Sequence, residues 1–247
     1  MEARLRWLAD GAVIIAALAA LVLLAAVLGA RVGLWTSRAG FGAFRWAALL
    51  ALFGVALSAI ALVTARLTDR FGAGGTSSTL VAGALAVSLV VFSVPWLMMQ
   101  QARRVPFIHD ITTDTADPPA FVAILPLRAG APNSAAYGGP EVAAAQARAY
   151  PDIGPRYLAA APAGAFEQAL TAARRMGWAI VAADPASGRI EATATTRWLG
   201  FQDDVVVRIR SDGGGSRVDV RSASRVGTSD LGMNARRIRE YLGRLGR

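Results

Sequence analysis

The 247-residue sequence has no cysteine, no lysine and a single histidine, His109. Without cysteine there can be no disulfide, no thiolate nucleophile and no cysteine-based metal site. A Ser-His-Asp triad would have to recruit His109, which lies far along the chain from the serines and aspartates near the C-terminus. Charge is scarce as well. Only 17% of the residues are charged while 54% are hydrophobic, too apolar for an ordinary soluble protein. All 26 basic residues are arginine and alanine is abundant, a usage that points to a GC-rich bacterial genome.

The apolarity is concentrated. Segments 11–29, 47–65 and 80–99 carry no charge, and at 1.5 Å per residue each spans roughly 30 Å, the thickness of a bilayer core. Arginines bracket them, and Trp7, Trp35, Trp46 and Trp96 fall near their ends, where an interfacial belt would place them. The first segment is longer than the apolar core of a signal peptide and two more spans follow it. Residues 1–104 therefore read as a retained three-span transmembrane region. Orientation is not decided by charge. With the N-terminus inside, Arg4, Arg6, Arg66 and Arg70 face Arg31, Arg38, Arg45, Arg103 and Arg104 across the membrane, a near-even split.

The net charge of +9 leaves a mild basic excess beyond residue 100, as suits a domain held near anionic headgroups. Nucleic acid is not expected as a partner. Arg208, Arg210, Arg217 and Arg221 are interleaved with acids, and no stacking aromatics line that face.

After the third span, Val105–Asp117 holds His109, Asp110, Asp114 and Asp117, oxygen and imidazole groups that a divalent cation could use. Their spacing matches no metal loop, and a solvated linker with Asx turns accounts for them better, so no metal and no cofactor are expected. Seven prolines between Pro118 and Pro155 extend the linker, with a helical turn or two at Glu141–Ala149. Residues 105–155 thus read as a Pro/Gly-rich juxtamembrane connector.

Residues 156–247 carry the folded pattern. An edge strand at Tyr157–Ala160 precedes a helix at Pro162–Met176 with Gly177 as its stop. Strands follow at Trp178–Ala183 and Arg189–Thr195. A hairpin comes next, with Val205, Val207 and Ile209 on one arm, Val218 and Val220 on the other, and Ser211-Asp-Gly-Gly-Gly-Ser216 between them. Asp219 would lie across from Arg208 or Arg210 as an exposed ion pair. Leu231, Ala235, Ile238, Leu242 and Leu245 then recur at helical spacing, with Thr228 or Ser229 as cap and Asp230 at the positive end of the dipole. The fold class is α+β: three transmembrane helices, then an antiparallel sheet of about four strands with two packed helices.

Chemistry is concentrated where the last strand turns into the last helix. Arg221, Ser222, Ser224, Arg225, Ser229, Asn234 and Arg237 crowd a helix N-terminus, a plausible pocket for a phosphate or carboxylate. The structural alternative is a lock in which Asp230 fills the helix end and Arg225 pairs with Asp203 or Asp204, and caps and ion pairs are commoner than ligand sites. Asp203 and Asp204 are adjacent carboxylates that could do acid/base or metal work, with Trp198 and Phe201 rimming a pocket. More often such a pair opens a strand and the aromatics are core.

Two blocks carry a resemblance: I-E-A-T-x-T-T-R-W-x-G-F-x-D-D-V-V-V-R-I at 190–209, and V-D-V-R-S-A-S-R-V-G-T-S-D-L-G-M-N-A-R-R-I at 218–238. With P-F-I-H-D-I-T-T-D-T-A-D-P-P-A-F at 106–121, they make residues 105–247 similar to a bacterial and plastid family, domain of unknown function 1499, in its membrane-anchored form. The resemblance implies a membrane or envelope setting and brings no catalytic residue. Some relatives are exported or lumenal, which tilts the domain towards the periplasm. The expectation is a non-enzymatic, multi-pass protein of the bacterial inner membrane. Its periplasmic domain would bind an anionic lipid, another anionic envelope ligand or an envelope protein at the Arg/Ser/Asp corner. The alternatives are a hydrolase or metal-dependent enzyme using Asp203, Asp204 and Ser222 or Ser224, and a structural subunit of a membrane complex.

Overall fold

The computed structural model describes residues 2–67 and 76–246, so the second inter-span loop with Arg70 lies outside the described residues. The chain forms two compact units: residues 1–101 with Trp198–Gly200, and residues 102–197 with 201–247.

The first unit contains α1 (Glu2–Arg31), α2 (Ser37–Leu67) and α3 (Thr76–Ala102). Three stretches, Arg6–Arg31, Ser37–Leu67 and Ser78–Ala102, are long and apolar enough to cross a membrane. Their packing inverts that of a soluble bundle. The residues α2 buries are Gly40, Phe44, Ala47, Ala51, Gly54, Ser58, Ala61 and Ala65, a stripe of small side chains at helical spacing. Ala12, Ala16 and Ala19 of α1 and Ala84 and Ser88 of α3 are buried likewise, while Leu24, Leu28, Leu52, Phe53 and Val90 are exposed. Small residues let helix backbones approach closely, and large apolar side chains left outside suit lipid.

The second unit is a six-stranded antiparallel sheet in the order β1-β6-β5-β4-β3. Its strands are β1 (Asp110–Thr112), β2 (Arg156–Leu158), β3 (Ala179–Asp184), β4 (Arg189–Thr195), β5 (Gln202–Asp212) and β6 (Gly215–Ser224). β1 and β2 lie end to end along the outer side of β6, opposite Arg221–Ala223 and Ser216–Val218 respectively. The expected count of about four strands is thus exceeded. The strand that sequence patterning missed is β1, three residues long and too short to show a period. The central hairpin turns on Gly213 and Gly214, both at positive φ, and two such residues in a two-residue loop match the twist of the flanking strands.

Strand alternation gives the sheet two covered faces. Ile190, Ala192, Ala194, Val205, Val207, Ile209, Val218 and Val220 join a core with α5 (Pro162–Arg175) and α6 (Met233–Leu242), where Trp178 stacks on Tyr241 at 4.8 Å. The opposite face is covered by residues 113–138, with Phe121 and Ile124 packed on Val206 and Ala223. The stretch 105–155 is therefore no spacer outside the domain. It supplies β1, a 3-10 turn at Leu125–Arg128 and α4 (Gly139–Ala149), an 11-residue helix where a turn or two was expected. Gln146 of α4 exchanges two hydrogen bonds with the Thr112 backbone, donating to its carbonyl at 2.6 Å and accepting from its N–H at 3.0 Å. It stands in for a strand partner on the free side of β1.

Candidate functional site

The sheet divides the polar corner in two. Asp203 and Asp204 are consecutive on β5, and consecutive strand residues point to opposite faces. Asp203 faces α6, where Arg237 donates to it from Nη2 at 2.5 Å, both side chains being buried. Asp204 faces the covering segment. It accepts from Arg128 Nη1 at 2.8 Å, Arg225 Nε at 2.9 Å, Arg225 Nη2 at 2.8 Å and Thr193 Oγ1 at 2.8 Å. A joint role for the two carboxylates is excluded by this geometry.

On the helix face, Ser222 donates to Asn234 Oδ1 at 2.7 Å, and Asn234 Nδ2 donates to Ser224 Oγ at 3.0 Å and the His109 carbonyl at 2.9 Å. Arg237 Nη1 donates to Ser222 Oγ at 3.0 Å and also to Asn234 Oδ1. Asn234 is fully buried and ties α6, β6 and the segment before β1 into one network.

The helix end is already filled. Neither Thr228 nor Ser229 caps α6, which begins at Met233 after Gly232. Instead Asp230 accepts the Gly232 and Asn234 N–H groups at 2.8 and 2.7 Å, so its carboxylate holds the position an external anion would take. Burial pushes the Asp230 carboxyl above its ordinary range, helped by Asp203 and opposed by those two N–H groups and Arg237. Ser229 is spent on the turn, accepting from Leu231 N at 3.3 Å and donating to the Pro106 carbonyl at 3.5 Å.

The other face carries the larger ion-pair system. Arg221 grips Asp110 from Nε and Nη2 at 2.9 and 2.7 Å, with its guanidinium 4.8 Å from the Phe121 ring centre and 5.5 Å from that of Tyr137. Burial and Asp110, opposed by Arg221, push the Tyr137 phenol up to about 12. Arg128 donates further to the Ala223, Asn133, Ser134 and Ser224 carbonyls. Glu191, fully buried, accepts the N–H groups of Val122, Ala123 and Ile124 at 3.0 to 3.1 Å. Asp219 is not the exposed partner expected. It is fully buried, with Arg208 Nη2 at 3.1 Å and Arg217 Nη2 at 3.0 Å. Asp114 and Asp117, weighed as cation ligands, bind Arg208, Arg210 and Arg217 instead. Burial works to raise the Asp114 carboxyl, but the Asp117 and Ala116 N–H groups with Arg217 and Arg208 hold it below its usual range. Among the described residues, no three His, Asp or Glu side chains group as a metal ion would require.

The structure thus keeps Asp203, Ser222, Ser224, Asp230, Asn234 and Arg237 together and sends Asp204, Arg221 and Arg225 to the far side of the sheet. Arg128, Glu191 and Asp110 complete the system and were not read as corner residues. Arg128 follows Ile124-Leu-Pro-Leu in a proline-rich stretch, and a lone basic residue there carries no local signal.

Residues 110–245 match the family described as Protein of unknown function (DUF1499), and the chain belongs to it. The match begins at the first residue of β1, so the family's unit includes the segment that covers the sheet. None of the curated proteins matches the chain.

Proposed function

We propose that this DUF1499 protein is a non-enzymatic binding protein of the bacterial inner membrane, with its α+β domain on the periplasmic side. The corner acts as a lock that holds the binding surface in shape, and the ligand is another envelope protein. The observation that supports this reading best is the saturation of Asp204: a carboxylate accepting four donors from two arginines and a threonine has its oxygens occupied and leaves no room there for a metal ion or a substrate. An anionic ligand at the corner would have to displace Asp204 from Arg225, or Asp203 from Arg237. A protein partner met at the surface requires no such exchange.

The test uses Arg225→Ala in the full-length protein reconstituted in nanodiscs. Lower melting temperature with unchanged binding of phosphatidylglycerol-rich vesicles supports the lock. Loss of vesicle binding at unchanged melting temperature would make the corner a ligand site and overturn the reading. Placement is tested separately. Ser187 lies exposed in the β3–β4 turn, and the chain has no native thiol to compete, so Ser187→Cys should react with a membrane-impermeant maleimide in cells with a permeabilised outer membrane. Reaction only after lysis would put the domain in the cytoplasm.

A further inference from the structure

Between Asp117 and Glu141 the chain carries one charged residue, Arg128, and its side chain is only 3% exposed. The segment that covers the sheet therefore shows no exposed charge over residues 118–140, in a chain with 26 arginines and 17 acidic residues. What it shows instead is aliphatic. Val122, Leu125 and Leu127 are 49%, 46% and 54% exposed, and Pro126 lies exposed between the last two. Phe121 and Ile124 of the same stretch are buried, packed on Val206 and Ala223 of the sheet.

The turn that carries these side chains is held from beneath by buried charge. Glu191, fully buried, accepts the Val122, Ala123 and Ile124 N–H groups, and Arg128 fastens the other end to Asp204 at 2.8 Å. Apolar side chains would close a sheet face as well or better, so stability alone does not account for a buried carboxylate and a buried guanidinium here. What the two charges do is fix the backbone of 122–128. Val122, Leu125 and Leu127 then stand at set positions, which spares a partner the cost of ordering them. A patch of aliphatic side chains kept in water is the usual mark of an interaction site, and a surface depleted of charge is what the centre of a protein interface presents. An anionic membrane or a nucleic acid would call for free basic side chains, and residues 118–140 offer none.

We propose that the turn from Val122 to Leu127 is the docking surface of the domain, and that its occupant is a protein offering an uncharged, apolar cleft. The inference rests on the partner-protein reading above and names the contact it uses. Val122, Leu125 and Leu127 enter the cleft. Glu191 and Arg128 are positioning residues that hold the turn in the shape the cleft accepts.

The test is a cysteine footprint on the full-length protein, which has no native thiol. Leu127→Cys, and Ala147→Cys on the exposed side of α4 as control, are reacted with a small maleimide in three settings: opened native membranes, phosphatidylcholine nanodiscs and detergent. Leu127→Cys should react several-fold more slowly in native membranes than in nanodiscs or detergent, while Ala147→Cys reacts alike in all three. Adding Val122→Ser and Leu125→Ser should restore fast labelling of Leu127→Cys in native membranes. Equal rates for Leu127→Cys in the three settings overturn the proposal. Slowing already present in nanodiscs relative to detergent gives the turn to lipid or to a second copy, and overturns it too. Arg236→Cys, exposed on α6, separates the two readings. Protection there with Leu127→Cys open means that a partner binds elsewhere, so the turn is wrong and the partner-protein reading stands. With neither site protected, both fall.

Discussion

Asp203 and Asp204 share a peptide bond and no environment: Arg237 of α6 binds the first at 2.5 Å, and Arg128 and Arg225 bind the second at 2.8 Å on the opposite face of β5. The one pair of adjacent acidic residues in the domain's sequence therefore fastens the sheet to the helix layer on one side and to the covering segment on the other. Buried pairs of this kind are not strongly stabilising in themselves, but removing one partner strands the other charge in a dry interior.

Asp204→Ala should accordingly cost about 3–5 kcal/mol, because Arg128 and Arg225 both lose their carboxylate. Arg225→Ala should cost less, about 1–3 kcal/mol, since Arg128 still neutralises Asp204. Urea unfolding of the full-length chain in detergent, followed by near-UV circular dichroism, measures both. Equal losses would mean that Arg128 does not share the carboxylate.

Glu191 closes the start of the 3-10 turn with its two oxygens, accepting from Val122, Ala123 and Ile124. Glu191→Ala leaves three N–H groups without their acceptor and should cost at least about 2 kcal/mol. Glu191→Gln keeps one acceptor oxygen and should cost less. Amide hydrogen exchange at 122–124 should speed up in both variants, more in the alanine one. Unchanged protection would show that the turn holds without the carboxylate.

Asp230 supplies a pH dependence of definite sign. Its folded-state value is raised, so its contribution is fully present below the unfolded value near 3.8 and is lost as pH climbs through the higher folded value. Asp230→Asn does not titrate. The stability of the wild type relative to this variant should fall as pH rises from 4 towards neutral. A difference that grows with pH would reverse the sign and show that the backbone N–H groups outweigh burial.

Gly40 and Gly42 of α2 form a matched pair within the membrane unit. A Cβ on Gly40 would lie 2.7 Å from the Ala26 carbonyl oxygen and 3.0 Å from Ala30 Cβ, whereas one on Gly42 meets nothing within 4 Å. Gly40→Ala should lower thermal stability in detergent by about 1–3 kcal/mol through overpacking against α1. Gly42→Ala should be neutral or add roughly 0.5–1 kcal/mol, the usual gain of alanine over glycine in a helix. Equal behaviour of the two would argue against the close approach of α1 and α2.

Much of this was readable along the chain. The three spans stand out because a bilayer demands about twenty uncharged apolar residues in a row, and that property is local. The central hairpin was legible for the same reason: alternating valines on either side of Gly-Gly are near-neighbour signals. So were α5 and the amphipathic run of α6. The α+β class and the family resemblance followed from these blocks.

What the chain order could not convey is which face each polar residue meets. The corner looked like one cluster because Arg221, Ser222, Ser224 and Arg225 are close in sequence, yet the strand's two-residue period sends them alternately to two different layers. The role of residues 105–155 was hidden as well. A proline-rich stretch has no period, and its place over the sheet depends on pairings such as Asp110 with Arg221 and Glu191 with the 122–124 backbone, which join residues 67 to 111 positions apart. Composition and local periodicity thus determined the membrane spans and most of the secondary elements, and the residue blocks at 106–121, 190–209 and 218–238 carried the family resemblance. The partner of each buried charge was decided only by the tertiary structure, because long-range pairing in a two-faced sheet leaves no trace in local sequence.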